Sequence, residues 1–481
     1  MPDSAQTLRI LPEILLAAFG TLIMVLEPLT PKNRKGLLGA LALVGTYCGA
    51  VAALLAYSNP GTAFSGMITV DGFATFFRLL VCVIGFLVVL GSMSYLERDG
   101  LPQGEFYALI LYSLVGQSLM AASSELILIF LGLEISSIST YILAGFHKDD
   151  SKSNESSLKY FFLGSFATAF FLYGVAMVYG ASGSTTLGVI RAAMGTREAN
   201  RGLVMVGAAL MFVGLGFKVS AAPFQVWTPD VYQGAPSPVT AFLSTAPKAA
   251  AFAIFLRIFF TALPQMSATW GWVLWISALL SMTVGNFAAL VQTNLKRLLA
   301  YSSIAHAGYV LVAFTSGTAI GAAAAMFYLA AYAFMNAGAF IVVSHFASRG
   351  ERYVEIDDYA GLGDRRPFLA ALLTIFLLSL IGIPLTGGFF GKFYIFRAAV
   401  NANLIWLAVL GLLNSAVAAY YYLRVIVVMY MREPTTEAPP IEPMPSGVAA
   451  ALVLAAAGVF YLGIFPSVVL DFATRSAGFV R

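Results

Sequence analysis

Two lysines, Lys218 and Lys248, stand in the stretch GLGFKVSAAPFQVWTPDVYQGAPSPVTAFLSTAPKAAAFAIF at 214–255. Each lies inside an apolar run long enough to cross a bilayer. A charge at membrane depth costs roughly 2.5–3.5 kcal/mol on insertion scales, so an ionisable residue there points to function. Glu134, in FLGLEISSISTYILAG, adds a carboxylate in mid-run, and Lys392, in GGFFGKFYIF, a third lysine. Desolvation raises a carboxyl pKa and lowers a lysine pKa, while an opposite charge pulls both back. A Glu–Lys pair that opens and closes is therefore a switch on the proton affinity of the lysine, and Lys218 is the natural partner of Glu134. Lysine suits proton relay because its pKa moves readily on burial, which that of arginine does not.

His306, in KRLLAYSSIAHAGY at 296–309, extends this set. Ser302, Ser303, His306 and Tyr309 recur at a spacing that lines one wet face of a helix, as a water or hydroxyl chain between lysines requires. Lys159, at the start of the sixth apolar run, is either a site of proton uptake toward Glu134 or a positive anchor at the membrane surface. Asp230, in WTPDVY, is read as a cap or ion-pair partner, and Arg78 as a side chain snorkelling to the outer surface. His345 is near a helix end and His147 in a loop, and both are read as structural. The run Tyr420–Tyr422 is read as lipid and helix packing.

The elements that must hold these groups follow from composition. The chain of 481 residues is 59% hydrophobic and 10% charged, with mean hydropathy +0.85. Soluble domains are nearer a quarter charged, so this is a polytopic membrane protein with little mass outside the bilayer. The net charge of +4 carries no nucleic-acid signal. Cys48 and Cys82 sit in apolar runs as small hydrophobes, and no C-x-x-C, Cys/His cluster or G-x-G-x-x-G after a strand points to zinc, an iron–sulfur cluster or a nucleotide. The first apolar run, bracketed by Glu13 and Glu27 without a basic stretch before it, reads as a retained span.

A span needs about 20 predominantly apolar residues. That rule predicts fourteen, at approximately 10–29, 37–57, 70–93, 105–122, 125–145, 158–180, 202–232, 236–260, 269–291, 298–316, 318–346, 367–398, 402–430 and 447–468. Fifteen Lys and Arg fall in the odd-numbered loops, against eight in the even loops and tails. This makes the odd loops cytoplasmic and puts both termini outside. A straight helix over 202–232 would reach about 45 Å against a core of roughly 30 Å. Spans seven and twelve are therefore expected to break, at SAAPF (220–224) and GIPLTGG (382–388), each beside a lysine. Broken helices at matching places of two inverted halves point to a transporter's ion site. The expected fold is all-α, about fourteen transmembrane helices, with two inverted five-helix repeats (spans four to eight and nine to thirteen). The single membrane domain divides into three N-terminal helices (1–104), a first repeat (105–260), a second (269–430) and a C-terminal helix (447–481).

These stretches resemble the N-subunit family (subunit 2) of proton-pumping NADH:quinone oxidoreductase, respiratory complex I. The likeness covers nearly the whole chain. It is most specific at 217–250 and strong at 296–309, 131–145 and 382–396. The resemblance implies the fold of the antiporter-like subunits and a role in moving protons from the cytoplasm to the outside, coupled to quinone reduction elsewhere. It assigns Glu134 and Lys218 to a coupling pair, Lys248 to the central relay and Lys392 to the group that hands protons outward. Many members carry His where this chain has Gln225, which puts proton transfer at that position in doubt. The resemblance also implies a bacterial inner membrane and partners in the membrane arm and in a peripheral arm with FMN and iron–sulfur clusters. No motif in this chain binds those cofactors or quinone. Two other readings stand beside it. One is a subunit of a multisubunit cation/proton antiporter or membrane-bound hydrogenase, which shares the fold; the DVYQGAPSPVTAF wording and the short stretch after span fourteen favour the N subunit. The other is a non-transporting scaffold, which has no reason to hold three lysines and a glutamate at membrane depth.

Overall fold

A computed structural model describes residues 4–31, 34–195, 200–434 and 442–480. Lys32, Arg197 and Arg481, which enter the charge count above, and 435–441 of the Pro/Glu-rich linker at 432–446 lie outside the described residues. The chain opens with α1 (Ser4–Arg9), α2 (Leu11–Leu26) and α3 (Gly36–Tyr57). A short antiparallel hairpin, β1 (Gly61–Ala63) and β2 (Ile68–Val70), leads into α4 (Gly72–Asp99). Next come α5 (Gln103–Ala122), α6 (Leu126–Ala144), α7 (Ser151–Ser182), α8 (Leu187–Met194), α9 (Arg201–Val219), α10 (Thr228–Gly234), α11 (Ser237–Leu243) and α12 (Ala246–Leu256), which runs on as π-helix to Ala262. The second half holds α13 (Ser267–Leu290), α14 (Leu295–Thr315), α15 (Ala319–Phe346), α16 (Leu362–Arg365), α17 (Pro367–Ile381), α18 (Gly387–Asn401) and α19 (Ile405–Met431). The chain closes with α20 (Ser446–Ile464) and α21 (Pro466–Ser476).

Among the described residues twelve helices are long and apolar enough to cross a membrane, and α2 and α17 are shorter apolar helices. Together they account for the fourteen expected spans. Polar residues start them where the sequence turns apolar: the side chains of Asp71, Glu125, Asp150, Asn200, Asn294 and Thr318 each accept a hydrogen bond from a first-turn backbone N–H. Helices α5 and α6 pack on each other, as α13 and α14 do. Both pairs use glycine for close approach. A side chain at Gly116 would meet the carbonyl of Gly132, and one at Gly308 the backbone of Met282 and Ala278.

The breaks fall where the sequence puts them. Helix α9 stops at Ser220 and α17 at Gly382, both in the left-handed region (φ 62° and 95°), a common helix stop. Beyond Ser220 the freed backbone is met by side chains. The Trp227 indole donates to the Phe217 carbonyl (2.9 Å), Ser281 Oγ accepts from the Ala222 amide (2.8 Å), and Ser277 Oγ donates to the Ala222 carbonyl (2.6 Å). Span eight is also interrupted, at Ser244–Thr245 between α11 and α12, immediately before Lys248. The sequence reading took 236–260 as one helix; Pro247, at the start of α12, was the available signal. The last span ends at Ile464 rather than running to 468, because Pro466 begins the separate helix α21.

Candidate functional site

Glu134, Ser137 and Tyr141 share one face of α6, at helical spacing. Lys218, in the last turn of α9, meets that face. Its ammonium donates to Ser137 Oγ (2.7 Å) and Tyr141 OH (3.1 Å) and lies 5.0 Å from the Tyr141 ring centroid. No ion pair joins Lys218 to Glu134 among the described residues. One carboxylate oxygen of Glu134 is buried without a hydrogen-bond partner. The pair expected from the sequence thus stands open, with Ser137 one turn from the carboxylate. A buried unpaired carboxylate oxygen is expensive, so this arrangement favours a lysine that moves to meet it.

Beyond the second break Lys248 is 2% exposed. It donates to Ser303 Oγ (2.5 Å) and more weakly to the Ser303 carbonyl (3.3 Å). Ser303 neighbours Ser302 on α14, and Ser302 Oγ is hydrogen-bonded to Tyr422 OH. The His306 ring, one turn on, bonds Tyr422 OH through Nε2 (3.1 Å) and Tyr328 OH through Nδ1 (2.5 Å). Tyr309 follows on the same helix, and the Lys392 ammonium lies 4.9 Å from its ring centroid. Lys392 in turn donates to the carbonyls of Leu380 (2.9 Å) and Ile381 (2.8 Å) and to Ser415 Oγ (2.8 Å). It caps the broken end of α17, where the helix dipole favours a cation. Lys248, Ser303, His306 and Lys392 are all at most 6% exposed. They form a row of hydroxyl, imidazole and ammonium groups across the second half.

The wet face proposed for α14 is therefore a buried polar seam, and it recruits residues the sequence reading passed over. Tyr422 bonds His306, and Tyr421 OH donates to Asn286 Oδ1 (3.0 Å). Tyr420 faces outward and Tyr421 and Tyr422 pack between helices, as lipid and helix packing requires, but the two buried hydroxyls also join the seam. Arg78 corrects a second expectation. It is fully buried rather than snorkelling, with Nη2 2.7 Å and Nε 2.9 Å from Glu13 Oε1, which also accepts from Ser118. Spacing within one helix could not show this, because Glu13 and Arg78 come from α2 and α4.

Lys159 is half-exposed on α7, away from the row. It pairs with Glu155 (2.7 Å) and Asp230 (2.8 Å), and Arg297 grips the other oxygen of Asp230 (2.8 Å). The pairing role expected for Asp230 matches this cluster. Gln225 has a buried side-chain oxygen without a partner, and the backbone carbonyl of His345 accepts from Arg98. Cys48 and Cys82 are free thiols. Among the described residues no group of three or more His, Cys, Asp or Glu could hold a metal ion.

Among the described residues, apolar helices for fourteen spans, with lysines at or near the breaks in spans seven, eight and twelve, define an antiporter-like membrane subunit. Residues 123–418 match the family described as NADH:quinone oxidoreductase/Mrp antiporter, TM. The chain is 59% identical to the NADH-quinone oxidoreductase subunit N 1 of Solibacter usitatus, covering 98% of this chain and 97% of that protein. Among solved structures it is similar to a chain of respiratory complex I from Thermus thermophilus with bound aureothin (38% identity, TM-score 0.82, 96% of this chain and 98% of that chain). It shares the fold of a chain of the Mrp complex from Dietzia sp. (19% identity, TM-score 0.86, 99% and 97%). The chain belongs to the subunit N family of NADH-quinone oxidoreductases, and to the family's antiporter-like fold.

Proposed function

We propose that Glu134, Lys218, Lys248, His306 and Lys392 form the proton relay of a membrane-arm subunit. The chain is a proton-pumping subunit of NADH:quinone oxidoreductase, a polytopic membrane protein within a multisubunit complex. The reading of the relay rests above all on one observation: Lys248 reaches Ser303 in the other half, at the head of the buried row that leads past His306 to Lys392. In this reading a proton held by Lys218 is released or retained according to whether Glu134 approaches. It passes to Lys248, along the hydroxyls of α14 and His306, and leaves through Lys392. Hydroxyl and imidazole groups both donate and accept, which a proton chain requires of every link.

The finer statements belong to the same proposal. The charge distribution puts the odd loops in the cytoplasm and both termini on the outer side of a bacterial inner membrane. Residues 105–260 and 269–430 are the two inverted repeats, preceded by three helices at 1–104 and followed by 447–481. The partners are the other membrane-arm subunits and a peripheral arm, which would carry FMN, iron–sulfur clusters and the quinone chemistry. Lys159, tied into the surface cluster with Asp230, serves better as an anchor than as a site of proton uptake.

The test replaces Lys248 with methionine in the intact complex and measures proton uptake per electron in proteoliposomes. Turnover should fall by roughly a hundredfold, the low end for loss of a positioned proton carrier. Wild-type rate and stoichiometry in Lys248→Met would remove the relay reading. The Mrp-like fold alone does not favour cation exchange, since at 19% identity it speaks only for the architecture.

A further inference from the structure

A polar cavity of about 260 Å³ opens at the end of the molecule that the charge distribution makes cytoplasmic. His147, Asp149, Asp150 and Lys152 lie on one side of it and Lys296 and Glu351 on the other. Lys296, at the start of α14, is almost fully buried. It donates to Glu351 Oε2 (2.6 Å) and to the Ala235 carbonyl (2.6 Å). The other oxygen of Glu351 accepts from the Ser237 amide (2.6 Å) and from Tyr95 OH (2.9 Å). The carboxylate therefore sits on the N-terminus of α11, the half-helix whose far end breaks just before Lys248. Behind it the Ser237 hydroxyl is buried without a hydrogen-bond partner, and the Tyr232 hydroxyl is buried beside Ser303, the residue that holds Lys248. Tyr232 is the residue whose ring faces the Lys248 ammonium, at 6.0 Å from the centroid. A hydroxyl both donates and accepts, so Ser237 and Tyr232 are fit to be steps between Glu351 and Lys248.

We propose that Glu351 is the cytoplasmic proton-loading group of the relay, taking a proton from the cavity and passing it inward along Ser237 and Tyr232 to Lys248. The proposal rests on the relay reading above. In the loading step an acid in the cavity loses a proton and Glu351 gains an O–H bond. In the transfer step that bond breaks, water carries the proton, the unprotonated amine of Lys248 gains an N–H bond, and the carboxylate is restored. Lys296 is the gate. While it holds Glu351 the carboxylate stays charged, and the Ala235 carbonyl gives its ammonium a second acceptor when it lets go.

Burial alone would raise the Glu351 carboxyl. The Lys296 ammonium, the Ser237 amide and the Tyr95 hydroxyl outweigh it and hold the group below its ordinary value. The charged and titratable groups around it are Lys296 on α14, Tyr95, Arg98 and Asp99 on α4, and Tyr359 beyond the loop, besides those across the cavity.

The experiment compares Glu351→Gln, Tyr95→Phe and Lys248→Met in the intact complex, following quinone reduction against pH. Glutamine still accepts from Ser237 and Tyr95 but carries no proton. Its deficit should grow toward alkaline pH, where loading limits turnover, and reach roughly a hundredfold. Tyr95→Phe removes a hydrogen bond to the carboxylate. This makes Glu351 easier to protonate and should move the alkaline fall of turnover upward by up to about one pH unit. A deficit in Glu351→Gln that is the same at every pH, or tracks loss of assembled complex, with an unmoved profile in Tyr95→Phe, would reduce the pair to a latch and overturn the proposal. A wild-type profile in Glu351→Gln beside an impaired Lys248→Met would overturn it alone. Wild-type turnover in Lys248→Met would overturn the relay reading and this proposal with it.

Discussion

Glu134 shows how a single residue sets the behaviour of its neighbours. Ser137 and Tyr141 hold the Lys218 ammonium, and Ser137 is one helical turn from Glu134, one carboxylate oxygen of which has no partner. Glu134→Ala should lower turnover and pumping together, since nothing then draws the lysine toward its charged form. Glu134→Asp should recover part of both; quinone reduction coupled to proton uptake reads the difference. Full wild-type turnover in Glu134→Ala would leave a static role only. Lys392 gives a second prediction. Arginine keeps the charge that caps α17 but does not release a proton at workable pH, so Lys392→Arg should assemble normally and pump poorly. Methionine at the same position should impair pumping at least as much. The lysines, Glu134 and His306 were legible because charge at membrane depth stands out against an apolar background. Their partners were legible only in part. Ser303 was legible on the polar face of its helix, but Tyr328 and Tyr422 come from two other helices and belong to a residue type that occurs throughout such helices, so only the packed structure singles them out.

At the scale of elements, apolar length and proline placement foretold the spans and two of the three interruptions. The break at Ser244–Thr245 escaped because no span was too long there and only Pro247 announced it. Close approach of α13 and α14 depends on Gly308, where an added side chain would run into the Met282 and Ala278 backbone. Gly308→Val should destabilise the subunit by about 1–3 kcal/mol, as overpacking does, and lower the thermal midpoint of the assembled complex. Orientation is tested on loops. A side chain at Gly188 in α8 would meet open space, and Glu433 is exposed at the start of the linker. Single cysteines there, probed with an impermeant reagent in intact cells, should label at Gly188→Cys and stay unlabelled at Glu433→Cys. The opposite pattern would invert the topology.

Across the whole molecule the buried pair Glu13–Arg78 ties the first span to the third. Glu13→Ala would leave Arg78 charged and alone, at a cost of about 3–5 kcal/mol, whereas replacing both partners with apolar residues should cost far less. Thermal unfolding of the two variants measures the difference. The polar bonds between the proposed halves carry a broader consequence. Lys248 is bonded to Ser303, Ala222 to Ser277 and Ser281, Ser244 to Asn336, and Asp230 to Arg297. Many secondary transporters work by rocking one repeat against the other around a fixed site. Here such rocking would tear several buried contacts at once, including the one between Lys248 and Ser303. Docking of this kind makes relative motion of the halves costly, since the bonds across the seam would have to be given up together.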